Sequence, residues 1–254
     1  MTASPPEESH LGVLLYGFGL LLVLFLLINL DRRFRDNAGR SLFRPFNFFA
    51  DIRDGRIVPT GTTTLLAFTM SGALGIAFAA LLHGFASQPG AIQKIASALP
   101  HSLIFAEGGS GEVAPLIFFT SCSFIAIVLV ALILRFRAIF VKERIYLGDT
   151  YNIAVWSLLP VSFLLLFDLI LPRMDMDGST EILSLAILLV IFLWSYFRIM
   201  KGTGVLFDVY PTRIYIYGVA LLAILVVIVW IYFRNSGIIA NFSLQVPVIC
   251  NPHA

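Results

Sequence analysis

Charge is scarce in this 254-residue chain: Asp, Glu, Lys and Arg together make up 13% of it, against 59% hydrophobic residues. A soluble domain carries about 25% charged residues, so an ordinary water-facing surface is excluded and the chain needs lipid around it. Cysteine is nearly absent. Cys122 lies inside an apolar run and Cys250 near the C-terminus, neither with a second cysteine at metal-ligand spacing. That excludes a disulfide framework and a thiolate metal site, leaving Cys122 as a small apolar filler and Cys250 as a free tail thiol. The four histidines, His10, His83, His101 and His253, all fall at the outer boundary of the apolar runs or in the tails. No His-Glu-x-x-His, paired carboxylate or Gly-x-Ser-x-Gly sets a nucleophile or a metal beside a base, so no catalytic residue, metal or cofactor is expected. Gly108-Gly109-Ser110-Gly111 has no Lys-Ser/Thr after it and no strand before it, so it reads as a flexible link rather than a phosphate loop. A net charge of +2, with no basic, aromatic-interleaved patch free of the apolar runs, gives no reason to expect nucleic acid.

Long apolar runs are what the chain has. Residues 11–30, 62–85, 115–134, 153–171, 182–200 and 216–233 can each cross a hydrocarbon core of roughly 30 Å, which takes about 20 helical residues. The runs are continuous rather than alternating, which argues for helices over barrel strands. The expected fold is an all-α polytopic membrane protein with six transmembrane helices. Fourteen of the seventeen Lys and Arg residues lie in three of the segments between these runs, leaving only Lys94, Arg173 and Arg234 elsewhere. Because such segments stay cytoplasmic, the pattern predicts both termini outside a bacterial cytoplasmic membrane. Glu7 and Glu8 precede the first run where a secretory signal would have basic residues, so that run is expected to be a retained anchor. The expected organisation is an outer tail and anchor over 1–30, a cytoplasmic Arg-rich amphipathic segment over 31–60, a five-helix core over 61–233 and an outer tail over 234–254.

Three groups of residues stand out as candidate sites. In the inner segment, Pro45 suits the first turn of a helix, with Phe46, Phe49 and Ile52 or Arg53 on one face at the headgroup level. Arg32, Arg33, Arg35, Arg40 and Arg44 beside it would form a platform for anionic lipid or a protein partner, although topology alone also accounts for such charge. Asp168 is the one charge well inside a run, and a carboxylate there is a functional candidate by default. Thr120 and Ser123 begin at a similar depth in the neighbouring run, so a hydroxyl could bond Asp168, in a transport site or as a tie between helices. Ser71, Gly72, Gly75 and Ala79 form a small-residue face suited to close helix packing or to homodimerisation. Trp156 and Trp230 read as interfacial anchors, and Ile92, Ile95, Ala96 and Leu99 as a short outer helix ending at Pro100.

The order of spans and loops, with Asn47-Phe48-Phe49-Ala50-Asp51-Ile52-Arg53, Tyr146-Leu147-Gly148-Asp149-Thr150-Tyr151, Trp156-Ser157-Leu158-Leu159-Pro160 and Lys201-Gly202 to Asp208-Val209, resembles bacterial members of the Yip domain family. These are relatives of the eukaryotic Rab-interacting membrane proteins. The resemblance covers roughly residues 45–233 and implies a five-span core with its N-terminus inside and its C-terminus outside. Tyr151 and Pro160 sit where the family tends to have a tyrosine and a proline at the start of its third core span. The eukaryotic Asp-Leu-Tyr-Gly-Pro entry motif is replaced here by Asp54-Gly55-Arg56-Ile57-Val58-Pro59, which argues against Rab-type GTPase binding. What the resemblance then implies is a non-enzymatic organiser, adaptor or accessory subunit, with lipids and a protein partner or a second copy as its contacts. The alternative is a small-solute or proton-linked transporter that uses Asp168.

Overall fold

The computed structural model describes residues 10–56, 60–86, 113–138, 145–170 and 179–235. The outer helix expected near Ile92, the glycine link and both tails lie outside the described residues. Within them the chain is helical and has no strand. In order it forms α1 (His10–Leu30), α2 (Arg32–Phe43), α3 (Pro45–Arg53), α4 (Thr60–Ala86), α5 (Val113–Ala138) and α6 (Leu147–Ser157). A 3₁₀ turn (Leu159–Phe163), α7 (Leu164–Ile170), α8 (Ser179–Leu206) and α9 (Pro211–Asn235) follow.

Four of these helices, α1, α4, α5 and α8, are long and apolar enough to cross a membrane, and a fifth crossing is made if α6 and α7 count as one broken span. The sixth run, expected over 216–233, falls on α9, whose apolar stretch Thr212–Ile228 is shorter than the others. The structure thus supports a multi-pass helical protein with four or five spans and leaves the sixth unestablished. The fourth run, expected as one helix, is bent by 40° between Leu147–Ser157 and Leu159–Asp168. Pro160 explains the break: it has no N–H for the carbonyl of Trp156 four residues earlier, and its ring crowds that turn.

In the segment over 31–60, expected to lie at the inner end, the single amphipathic helix is two. Asp31 caps α2, its carboxylate accepting from the N–H groups of Arg33 (2.9 Å) and Phe34 (3.1 Å). Pro45 opens α3 and holds Arg44 before it out of helical geometry at φ −132°. Gly55, at φ +72°, closes α3, with Gly55 N–H on the Ile52 carbonyl and Arg56 N–H on that of Asp51. The buried face of α3 is Phe48, Phe49 and Ile52, while Phe46 is exposed, so Phe48 takes the place expected for Phe46. Trp156 is no interfacial anchor: it is fully buried, with ring centroids 5.4 Å from Phe34 and 5.1 Å from Phe48, and its indole N–H donates to Thr63 (3.2 Å). Trp230 is exposed on α9. Cys122 is likewise exposed rather than a filler of the interior.

The small-residue face of α4 is used within the chain. A side chain at Gly72 would meet Leu20 and the Tyr16 hydroxyl of α1, and one at Gly75 would meet Thr120 of α5, whose backbone N and Cα lie 3.0 and 3.1 Å from the Cβ position. Ser71 is buried and donates to the Ala67 carbonyl (2.8 Å), and Ala79 is half-buried. Close approach of three helices, rather than a free dimerisation face, is what these positions serve.

Candidate functional site: the inner junction and its hairpin

Breaking a helix inside a membrane leaves carbonyls that no water can satisfy. Pro160 cannot bond the Trp156 carbonyl, and the 3₁₀ geometry that follows sends Val161 N–H to Leu158 (2.8 Å) instead of Ser157. Arg198 of α8, only 4% exposed, meets both freed groups: its Nε donates to the Ser157 carbonyl (3.2 Å) and its Nη2 to that of Trp156 (2.9 Å). The same Nη2 donates to Ser41 Oγ of α2 (2.6 Å), and the Ser41 hydroxyl donates to the Trp156 carbonyl (3.2 Å). The carbonyl end of α6 carries a partial negative charge, which offsets part of the arginine's charge. Gly202, one turn further along α8, has no room for a side chain against Ile153 and Ser157, and this fixes how closely α8 approaches α6.

This junction clamps the α2–α3 hairpin onto the bundle, and the outer side of the hairpin is free. Arg32, Arg33, Arg35 and Arg44 are exposed and have no ion-pair partner among the described residues. Arg40 is also exposed but pairs with Asp51, which Arg56 engages as well at 3.1 Å. Phe43 is 85% and Phe46 59% exposed, on either side of the Arg44–Pro45 corner. Four of the five arginines named for the platform are thus exposed and without an ion-pair partner among the described residues, beside two exposed phenylalanines that sequence reasoning had not put on that side.

The intramembrane polar group is arranged differently from expectation. Thr120 and Ser123 are both buried, but the Thr120 hydroxyl is in hydrogen-bond contact with Tyr16 of α1 (3.3 Å). Asp168 lies on α7, which packs on α4 and α1, and its buried Oδ2 has no hydrogen-bond partner among the described residues. No bond joins that oxygen to the hydroxyl cluster. Among the described residues no group of His, Cys, Asp or Glu could hold a metal ion.

The Yip1 domain model matches residues 39–232, well over half of the chain. The chain belongs to the Yip1 family. Comparison with curated proteins and with solved structures returns no match. The Yip1 match encloses Ser41, Trp156, Pro160 and Arg198, so the whole junction is inside the family region, whereas α1 and Arg32, Arg33 and Arg35 precede it. Tyr151, one of the positions that carried the resemblance, sends its hydroxyl to Thr64 of α4 (3.4 Å), and Pro160, the other, makes the break. Sequence reasoning missed Ser41 and Arg198. The available signal was the pairing of a proline inside one apolar run with an arginine inside another.

Proposed function

We propose that this multi-pass Yip1-family protein is a non-enzymatic organiser or adaptor of a bacterial cytoplasmic membrane, with the outer side of the α2–α3 hairpin as its docking surface for a cytoplasmic protein. The observation that carries this reading is the contrast between the two sides of the hairpin. One side is fixed by Ser41, Phe34, Phe48 and Phe49, and the other holds four arginines without an ion-pair partner among the described residues and two exposed phenylalanines. Arginine and aromatic side chains in a rigid frame are what protein interfaces favour. Replacing Arg32, Arg33, Arg35 and Arg44 together by Glu breaks no ion pair of the hairpin. It is expected to reduce cross-linking of a cytoplasmic partner at least tenfold while the protein purifies with unchanged Tm. A wild-type chain recovered as a lone monomer from native membranes and from every mild detergent would sink the proposal.

A second reading, a proton-linked transporter, is favoured by the buried Oδ2 of Asp168, because a buried carboxylate oxygen without a partner among the described residues is costly to keep inside a membrane protein. On that reading Asp168→Asn abolishes proton flux into proteoliposomes and leaves assembly intact. Loss of stability without any flux phenotype would make Asp168 a structural group.

A further inference from the structure

Where α5 and α8 end and α9 begins, they enclose a groove of about 110 Å³ lined by Arg137, Thr203, Phe207, Val209, Ile214 and Tyr217. Its depth follows from the helices: Arg137 is in the last turn of α5, Thr203 in the last turns of α8, and Ile214 and Tyr217 are in the first two turns of α9. The floor is apolar. The Thr203 hydroxyl is already engaged with the Ile199 carbonyl (2.6 Å), which leaves Arg137 and Tyr217 as the polar groups at the mouth, both exposed. Neither has a hydrogen-bond or ion-pair partner among the described residues. The contrast with Arg135, one half-turn earlier, is direct: its guanidinium donates to the Ile145 carbonyl. The inner turn that forms one wall is itself well defined. Asp208 adopts a left-handed conformation at φ +48°, Val209 N–H reaches the Gly204 carbonyl (3.1 Å), and the Asp208 carboxylate faces Arg53 of α3 at 3.6 Å.

We propose that this groove binds one anionic phospholipid of the inner leaflet, its phosphate on Arg137 with Tyr217 as a second donor, and the start of an acyl chain along Phe207 and Ile214. Three features select that occupant. The volume takes a stretch of hydrocarbon chain and is far too small for a helix of a protein partner. The Arg137 guanidinium, at the end of an apolar span and without a partner among the described residues, is complementary to a phosphate and not to a neutral lipid. The groove is lined by residues of α5, α8, α9 and the turn between α8 and α9 and by none of the α2–α3 hairpin, so the site is separate from the docking surface proposed above and stands or falls independently of it.

The test is native mass spectrometry of the full chain after reconstitution in phosphatidylcholine vesicles doped with phosphatidylglycerol and mild extraction. One retained phosphatidylglycerol per wild-type chain is expected. Arg137→Gln should lower its occupancy roughly five- to tenfold, the worth of about one cationic contact. Ile214→Trp, which fills the groove and leaves the guanidinium in place, should lower it as well. Arg44→Gln, on the hairpin, should leave it unchanged. Equal losses in the Arg137 and Arg44 variants would show diffuse surface charge, and retention of phosphatidylcholine as readily as phosphatidylglycerol would show annular lipid only. Either result overturns the proposal.

Discussion

Arg198 is the residue on which the inner half of the bundle turns. Its planar fork suits two adjacent carbonyls in a way that a point charge does not. Arg198→Met would leave the Ser157 carbonyl without its side-chain donor, at roughly 1–3 kcal/mol, while the Trp156 carbonyl keeps the Ser41 hydroxyl. A loss of about 1–3 kcal/mol is expected, read as a lowered Tm of the purified protein in detergent. Arg198→Lys should fall between, because an ammonium reaches fewer of the same acceptors. A methionine variant as stable as wild type would show that the bend holds without the arginine. In the sequence this residue counted only as one positive charge of an inner loop. Its role depends on Pro160 freeing the carbonyls and on α8 running antiparallel to α6 at the right height, neither of which a loop-by-loop charge count contains. Trp156 was misread for a related reason: its place near a span end suggested a membrane interface, but α2 and α3 fold over that end and cover it.

At the scale of elements, the broken span is the feature that packing made and periodicity concealed. An uninterrupted apolar run from 153 to 171 reads as one helix, and only the proline marks the turn where it divides. Pro160→Ala would restore an N–H for the Trp156 carbonyl and lessen the need for Arg198. In that background Arg198→Met is expected to cost about 1 kcal/mol less than in the wild type, a coupling within the usual range for residues sharing a network. Strictly additive effects in the double-mutant cycle would argue against the link between them. The inner hairpin was half legible. Pro45 and the charged, aromatic texture predicted α3, whereas α2 is Arg-rich and polar and is specified by its Asp31 cap and by the buried Phe34 and Ser41, with Ala38 and Leu42 half-buried beside them.

For the whole molecule, composition and run length were enough to place the chain in a membrane and to locate α1, α4, α5 and α8 within a few residues. The loop texture carried the Yip resemblance that the family match then bore out over residues 39–232. The helix partners were less legible, because small residues at 71, 72, 75 and 79 announce a close approach without naming the helix that makes it. That helix turned out to be α1 on one side and α5 on the other, which ties the anchor into the core through Tyr16, Leu20 and Thr120.

The contacts of Ser41 also set a timetable for making the protein. Its hydrogen-bond partners lie 115 and 157 residues further along the chain, at Trp156 and Arg198. Synthesis at about 5–20 residues per second separates Ser41 from Arg198 by roughly 8–30 s. For that interval Phe34, Phe48, Phe49 and Ile52 have been made while the surfaces of α6 and α8 that help to bury them are still incomplete. The hairpin can therefore close onto the bundle only after α8 has been made.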